Sequence, residues 1–150
     1  MVTERSHDFY MKEALKEAQK ALEMDEVPVG AIVVCDDQII ARAHNFTEKL
    51  NDVTAHAEML AFTSASDYLG GKFLNECTLY VTLEPCLMCA GASYWTRIGT
   101  LVFGASDPKR GFRSKASNAL HPKSKCVDGI LDEECAQILK DFFGSKRELK

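Results

Sequence analysis

The sequence predicts a single α/β domain in which a mixed β-sheet carries helices on both faces. Helical and extended segments alternate along the 150 residues in the order α-β-β-α-β-α-β-β-α. Two passages of this order are β-α-β units, which join parallel strands by right-handed crossovers. The first two strands are separated only by a short turn and add an antiparallel pair. A chain of this length is expected to form one domain, here residues 1–150.

The first helix and the strand pair are indicated by their periodicity. Residues 6–24 have apolar side chains at helical spacing, with Ser6 as the predicted N-cap. Residues 29–35 and 38–44 are apolar segments rich in β-branched side chains. They flank the Asp36–Asp37 pair, which is typical of a turn, so the two segments are predicted to form a hairpin.

The middle of the chain is predicted to contain two helices on either side of a strand. Residues 55–68 form the second helix, with Thr54 as its N-cap and Gly70 just beyond its end. Residues 78–83 are rich in β-formers and predict a strand. A third helix follows over residues 85–97, with a proline in its first turn, where proline is tolerated.

The last third is predicted to be less regular. A strand over residues 100–103 is followed by a long loop over residues 104–124, and loops of that length are usually functional or mobile. A short strand over 125–127 and a helix over 132–143 come next, and the helix is expected to end at the glycine that follows it. Residues 145–150 are predicted to be a flexible polar tail.

Composition narrows the class of protein. The formal net charge is −4, with 46% hydrophobic and 27% charged residues, which is typical of a globular protein. The acidic balance argues against general nucleic-acid binding, although it leaves room for a local basic patch. The start of the chain has no apolar signal core, and the most apolar stretch, 27–35, is too short to span a bilayer. A cytoplasmic location without membrane contact is therefore expected.

The cysteines divide into two groups. Because no secretory signal is present, the even number of six cysteines does not indicate a disulfide framework. Two of them, Cys86 and Cys89, form a Cys-x-x-Cys motif. The four isolated cysteines are expected to be plain buried or surface thiols; they are Cys35, Cys77, Cys126 and Cys135.

Three side chains are candidate ligands of a metal ion. Cys86 and Cys89 lie three residues apart near the start of the third helix, so both thiols face the same side. A helix N-terminus lowers thiol pKa values and so favours thiolate ligands. His56 opens the second helix, and the topology is expected to place the two helix starts side by side. One imidazole and two thiolates suit Zn²⁺, and a fourth position left to water is typical of catalytic zinc.

Glu58 is the candidate catalytic residue. A carboxylate beside a zinc-activated water can accept its proton and pass it to a leaving group. The spacing His-x-Glu followed by Pro-Cys-x-x-Cys is the signature of zinc-dependent nucleobase deaminases. Taken singly, each residue has a simpler reading: Cys-x-x-Cys can be a redox pair, and His56 and Glu58 can be helix-start residues. The joint spacing favours the deaminase.

Beyond this signature, most of the chain resembles the bacterial tRNA-specific adenosine deaminases, which convert the wobble adenosine of a tRNA anticodon to inosine. The stretches that carry the resemblance are Pro28–Ala31, Thr54–Glu58, Leu79–Gly91, Arg97–Gly99, Phe103–Asp107, Gly129–Ala136 and Asp141–Phe143.

The resemblance implies a cytidine-deaminase-like three-layer α/β/α sandwich with a five-stranded mixed sheet. It implies one zinc ion per subunit held by His56, Cys86 and Cys89, with Glu58 moving protons. It also implies a homodimer that binds the anticodon stem-loop of a tRNA. The substrate-binding residues that it implies are Asn45, Val29, the backbone of Ala57, and Asp107.

One stretch departs from the pattern of this family. Tyr94 and Trp95 stand where many tRNA-type members have a smaller residue and a histidine, and such an aromatic pair is more familiar in guanine deaminases. The simplest interpretation is that both rings pack the third helix against its neighbours. The alternative is that they reshape the pocket or a dimer contact, so a free-base deaminase acting on guanine stays open.

Charge patterning supplies an independent argument for RNA. Between Ser106 and Lys125 six basic residues accompany one acid. An enzyme acting on an RNA loop needs such charge for phosphates, whereas a free-base deaminase does not. A solvated mobile loop, or a non-catalytic RNA-binding module with structural zinc, would share the pattern. The predicted phosphate contacts are Lys109, Arg110, Arg113, Lys146 and Arg147.

Overall fold

The computed structural model describes residues 5–148 and contains four α-helices and five strands in that range. In chain order, the elements are α1 (His7–Glu23), β1 (Gly30–Cys35), β2 (Gln38–His44), α2 (Ala57–Leu69), β3 (Cys77–Leu83), α3 (Leu87–Thr96), β4 (Thr100–Ala105), β5 (Lys125–Val127) and α4 (Asp132–Glu148), with a 3₁₀ turn at Phe112–Ser114.

The strands form one mixed sheet in the order β2-β1-β3-β4-β5. β1 runs antiparallel to both β2 and β3, whereas β3, β4 and β5 are parallel. Asp36 and Asp37 turn the chain between β1 and β2 with φ angles of 52° and 58°. Positive φ at both central residues is typical of a tight hairpin turn. The predicted hairpin and five-stranded mixed sheet are confirmed.

Each face of the sheet has its own apolar core. Successive side chains of a strand point to opposite faces. Accordingly, Ala31 and Val33 of β1 belong to a cluster with α2 and α3, while Ile32 and Val34 belong to a cluster with α1 and α4. The sheet is therefore the middle layer of an α/β/α sandwich, as predicted.

Helix starts differ in detail from the prediction. Ser6 caps α1 as expected, since its hydroxyl accepts a hydrogen bond from the N–H of Phe9 at 3.1 Å. Thr54 does not cap α2; the N-cap is His56, and the side-chain Oδ1 of Asn45 accepts from the N–H of Ala57 at 2.8 Å. A side chain from another segment thus satisfies this helix end. Similarly, α3 begins at Leu87 with Cys86 as its N-cap, so the proline predicted for the first turn lies before the helix.

The predicted end of the last helix is wrong. α4 continues through Gly144 to Glu148, so residues 145–148 are helical and not a separate tail. In the part of α4 beyond the predicted end, the Nζ of Lys146 forms an ion pair with Asp25 at 2.6 Å and lies over the Phe142 ring. Residues 149 and 150 of the predicted tail lie outside the described residues.

The topology brings several chain segments to one edge of the sheet. Because β1 is antiparallel to both β2 and β3, those two strands run in the same direction and end at the same edge. β4 also ends there, since it is parallel to β3. The segments that follow β2, β3 and β4, including the starts of α2 and α3, therefore converge. Within residues 5–148, no helix is long and apolar enough to cross a membrane.

Candidate active site

The three predicted metal ligands meet at the converging helix starts. His56 is the N-cap of α2 and Cys86 is the N-cap of α3. The Nδ1 atom of His56 lies 3.7 Å from the Sγ of Cys86 and 3.5 Å from the Sγ of Cys89. The three potential ligand atoms all lie within 4.8 Å of one another. The sequence spacing thus corresponds to one compact donor set.

The donor set has the dimensions of a zinc site. With Zn–N and Zn–S bonds of about 2.0 and 2.3 Å, a tetrahedral ion would separate its nitrogen and sulfur ligands by about 3.5 Å. The measured separations of 3.5 and 3.7 Å match this edge length. One imidazole and two sulfur donors leave the fourth corner to a non-protein ligand, and that arrangement is typical of catalytic sites.

The two thiols are not equivalent. A hydrogen bond from Cys89, together with His56, lowers the pKa of Cys86 to about 4. Cys86 in turn raises the pKa of Cys89, and burial raises it further. The same contact with Cys86 raises the pKa of His56. These contacts favour the thiolate form of Cys86, which is the form that binds a metal.

Glu58 lies one residue into α2 and is buried beside this set. Burial raises the pKa of its carboxyl to about 7, partly offset by its own backbone N–H, the charge of His56 and the Cys89 thiol. A carboxyl that titrates near neutral pH is suited to accept and donate a proton. Its position is next to the ligand cluster, and it is not a member of that cluster.

A cleft of about 570 Å³ opens over His56, Glu58 and Cys86. Its wall comes from five separate segments of the chain. The other lining residues are Val27, Val29, Asn45, Thr47, Leu83, Glu84, Ser106, Asp107, Lys109, Arg110, Leu139 and Phe143. The cleft therefore combines the His56 and Cys86 donors and the Glu58 carboxyl with apolar, amide and basic groups able to bind a polar ring and its attached backbone.

The sequence model of the MafB19-like deaminase family matches residues 5–147. A tRNA-specific adenosine deaminase of Bacillus subtilis (strain 168) is 48% identical over 148 residues, covering 95% of this chain and 92% of the relative. The chain belongs to the tRNA-specific adenosine deaminase family. The catalytic signature and the resemblance of the wider sequence thus lead to the same family.

Two solved deaminase structures are similar to this chain in fold as well as in sequence. A structure from a study of A-to-I editing by tRNA:A34 deaminases is 45% identical, with a TM-score of 0.80, and covers 87% of this chain and 99% of that chain. A guanine deaminase from Bacillus subtilis is 38% identical, with a TM-score of 0.65, and covers 68% of this chain and 66% of that chain. The tRNA:A34 deaminase matches more of the chain and matches it more closely.

In this deaminase, Asn45 and Val29, two of the predicted substrate-binding residues, both line the cleft. The Oδ1 of Asn45 accepts from the N–H of Ala57, which turns the amide nitrogen of Asn45 into the group able to donate elsewhere. Ala57 itself is fully buried and is not among the lining residues that the structure describes. Its backbone therefore orients Asn45 in this structure.

Glu84 is a lining residue of the deaminase that the sequence reasoning missed. Its buried carboxylate accepts hydrogen bonds from the N–H of Asp107 at 3.0 Å and from the N–H of Arg113 at 3.0 Å. It also pairs with the Arg113 guanidinium at 3.2 Å. Glu84 thus holds the segment after β4 against the cleft. An acid directly before Pro85 and the first ligand cysteine, at the end of an apolar strand, was the available signal.

Glu26 is a second buried carboxylate that was missed, on the opposite wall. It accepts from the N–H of Glu48 at 3.0 Å, the N–H of Lys49 at 2.8 Å and the hydroxyl of Thr47 at 3.4 Å. These contacts hold the segment that carries Asn45 and Thr47 into the cleft. No local pattern in the sequence distinguishes Glu26 from the other acids near the end of α1.

The predicted phosphate contacts divide between two environments. Lys109 and Arg110 line the cleft, and their backbone N–H groups are held by the carboxylate of Asp107. Arg113 points away, because its guanidinium binds Glu84, Asp128 and Ser106 and stacks on the Phe103 ring. Lys146 is likewise engaged by Asp25.

Arg147 lies in the last turn of α4. Arg113 and Lys146 both form ion pairs with acidic side chains of this chain, so their phosphate contacts stay a prediction. Lys109 and Arg110 are the predicted contacts that face the cleft.

Tyr94 and Trp95 do not have the predicted packing role. Trp95 is 77% exposed, and Tyr94 is also exposed and contacts Trp95 and His121 edge-on or tilted. Neither ring is among the described residues that line the cleft. The departure from the common family pattern therefore lies on the outer surface of α3. The isolated cysteines are free thiols, as predicted.

Proposed function

We propose that this protein is the hydrolytic deaminase that converts adenosine to inosine at position 34 of a tRNA anticodon. The observation that carries the proposal is the buried Glu58 beside the His56, Cys86 and Cys89 set at the floor of the cleft. The family membership and the 45% identical tRNA:A34 deaminase structure support adenosine in tRNA over guanine as substrate.

His56, Cys86 and Cys89 would hold one Zn²⁺ per subunit. When bound, Zn²⁺ acidifies water and so supplies a nucleophile at neutral pH. The donor set fits this ion in ligand type and in spacing.

Glu58 performs the proton transfers. Its carboxylate accepts a proton from the attacking water and gives it to N1 of the purine ring. It then takes the second proton from the oxygen now bonded to C6 and delivers it to the departing amino group, as C6 becomes a carbonyl and ammonia leaves. The products are inosine and ammonia, so one water is consumed for each adenosine. Burial serves this role because it raises the pKa of Glu58 to about 7, near the pH at which the carboxyl must both gain and lose a proton.

Two walls of the cleft hold the nucleotide. Asn45 donates from its side-chain amide, and Val29 contacts the ring, on the wall held by Glu26. Asp107, Lys109 and Arg110 form the other wall, where the two cations meet the phosphates that flank the target. A base in an anticodon loop can enter such a cleft because it is already unpaired.

We also propose that the protein acts as a homodimer in the cytoplasm, where tRNA is available. Leu50 and Val53 in the segment before α2, and Leu87 and Trp95 on α3, are large apolar side chains that lie exposed. Exposed apolar side chains are the kind of surface that a partner covers. Native mass spectrometry at micromolar concentration tests the dimer. A monomer at all concentrations would contradict this part of the proposal.

The substrate assignment is tested with zinc-loaded protein and two substrates in parallel. An anticodon stem-loop with adenosine at position 34 is expected to yield inosine by nuclease digestion and chromatography. Free guanine is expected to release no ammonia above the rate of a Glu58→Gln control. Ammonia from guanine without inosine in the RNA would replace the proposed substrate with a free base.

A further inference from the structure

Two of the isolated cysteines are paired on adjacent strands of the sheet, far from the cleft. Cys35 is the last residue of β1 and Cys77 is the first residue of β3, and the two are Cα partners in the antiparallel register. Both side chains pack on the same face of the sheet, in the cluster that underlies α2 and α3. They form the last rung of the β1–β3 ladder, at the edge opposite the active site.

The backbone hydrogen bonds show which kind of rung this is. The carbonyl of Cys77 accepts from Gly99 on the β4 side at 3.1 Å, and its N–H donates to the carbonyl of Leu74. Cys77 therefore does not exchange hydrogen bonds with Cys35, and the rung is a non-hydrogen-bonded pair. Such pairs bring their Cα atoms to about 4.5 Å and their side chains closest together. A disulfide requires a Cα separation of about 4.4–6.8 Å.

We propose that Cys35 and Cys77 are a redox-modification site that closes to a cross-strand disulfide when a low-molecular-weight disulfide such as oxidised glutathione is present. The two cysteines have complementary exposure: Cys35 is half-buried at the strand end, while Cys77 is 2% exposed. A small oxidant can therefore reach Cys35 first. Burial and the neighbouring Cys35 thiol raise the pKa of Cys77 to about 12, so Cys77 is the slower nucleophile.

The reaction has two exchange steps. The Cys35 thiolate attacks one sulfur of oxidised glutathione, the S–S bond of the oxidant breaks, and one glutathione leaves as a thiolate. The Cys77 sulfur, as thiolate, then attacks the Sγ of Cys35 and releases the second glutathione. Two protein thiols lose two electrons to the S–S bond of the oxidant, and their two protons pass through solvent to the glutathione thiolates.

The closed disulfide would span a segment that carries half of the active site. Residues between the two cysteines include β2 and α2, with Asn45, His56 and Glu58. The cross-link would tie the ends of this segment together without touching the cleft, and it does not depend on the proposed function. Cys126 cannot substitute, because β5 is separated from β3 by β4, about 10 Å away in the sheet.

The test is intact-mass spectrometry of the full chain, loaded with Zn²⁺ and incubated with oxidised glutathione. Wild type and Cys126→Ser are expected to become lighter by two hydrogen atoms, after any removable adducts on exposed thiols are discounted. Cys35→Ser and Cys77→Ala are expected to show no such loss. Cys35→Ser changes a half-buried strand end, so it decides the question even if the buried Cys77→Ala variant does not fold.

Three results would overturn the proposal. The first is wild type that stops at a glutathione adduct on Cys35. The second is a loss of two hydrogens that persists in Cys35→Ser, since the disulfide would then join other cysteines. The third is wild type that stays reduced at Cys35 while Cys126 becomes glutathionylated.

Discussion

Glu58 and Glu84 are two carboxylates in one cleft, each 4% exposed, and they differ in the groups around them. Glu84 accepts from two backbone N–H groups and pairs with the Arg113 guanidinium, so its charge is compensated and its position is held. Glu58 has its own backbone N–H and the Cys89 thiol, and burial raises its pKa to about 7.

The difference shows how the surroundings of two glutamates in one cleft give them different functions. A buried carboxylate surrounded by donors organises the backbone, because moving it would leave those donors unpaired. A buried carboxylate with few donors binds a proton easily, and it can return that proton to a reacting group. Glu58 therefore suits proton transfer, and Glu84 suits support of the wall that carries Asp107.

Removal of a metal ligand is expected to cause the largest loss of activity, against which the effects of changing Glu58 and Glu84 can be compared. His56→Ala deletes the nitrogen that lies 3.5 and 3.7 Å from the two cysteine sulfurs. Both bound zinc, measured by elemental analysis, and inosine formation are expected to fall to background. Full zinc content with background turnover would mean that His56 acts otherwise than as a ligand.

Glu84→Gln is expected to weaken the wall without removing the metal. The amide presents an N–H₂ group toward the N–H donors of Asp107 and Arg113, so at least one donor loses its acceptor. The free energy of unfolding should fall by about 1–3 kcal/mol. The KM for the stem-loop should rise more than kcat falls. The measurements are urea unfolding and steady-state kinetics, with exposed Glu133→Gln as the unaffected control.

A second pair of variants isolates the role of the wall. An added Cβ on Gly111 would lie 2.2 Å from the Glu84 carboxylate, whereas Gly71 has open space at the same position. Gly111→Ala should therefore reproduce the rise in KM, and Gly71→Ala should not. Equal kinetics in Glu84→Gln, Gly111→Ala and wild type would contradict the supporting role of Glu84.

Removal of the cationic rim of the cleft, formed by Lys109 and Arg110, should have a smaller, salt-dependent effect on RNA binding. Replacement of both Lys109 and Arg110 by alanine removes the basic side chains that line the cleft. The slope of log affinity against log salt should decrease by about 0.7 for each lost phosphate contact on single-stranded RNA. Binding of the stem-loop between low and moderate salt measures the slope, with Lys12→Ala on α1 as control. An unchanged slope would exclude phosphate binding by this rim.

Glu13, a partly buried carboxylate that pairs with two cationic side chains, should give the smallest effect. Hydrogen bonds from Lys16 and from Arg42, the latter at 2.7 Å, lower its pKa below the usual value of 4.5. Since the pKa is lowered in the folded state, the stabilisation is present above pH 4.5 and is lost as pH falls through the folded value. Between pH 7 and 4, the Tm of wild type should drop slightly more than that of Glu13→Gln. A parallel decline would show that the pair contributes nothing measurable.

Local sequence patterns were sufficient to predict which residues form the catalytic floor of the cleft. His56 and Glu58 lie two residues apart, Cys86 and Cys89 lie three apart, and each pair sits at a helix start that the sequence marks. Strand order then follows from connectivity and handedness. Chemistry and fold were therefore predictable from short-range patterns.

The walls could not be predicted in the same way, because their contacts join distant segments. Glu84 and Arg113 are 29 residues apart, and Lys146 and Asp25 are 121 apart. A count of basic residues cannot show that Arg113 and Lys146 are paired within the fold. The same holds for Asn45, which caps a helix 12 residues away and displaces Thr54 from the predicted role.

The most direct test of the contrast between the two carboxylates is Glu58→Gln, with zinc content and single-turnover inosine formation measured on one preparation. The variant is expected to retain stoichiometric zinc, because Glu58 is not among the three ligands. It is expected to lose inosine formation by about 10²–10⁴-fold, the usual contribution of a general acid–base. Turnover near that of wild type, or loss of zinc along with activity, would contradict the assignment of proton transfer to Glu58.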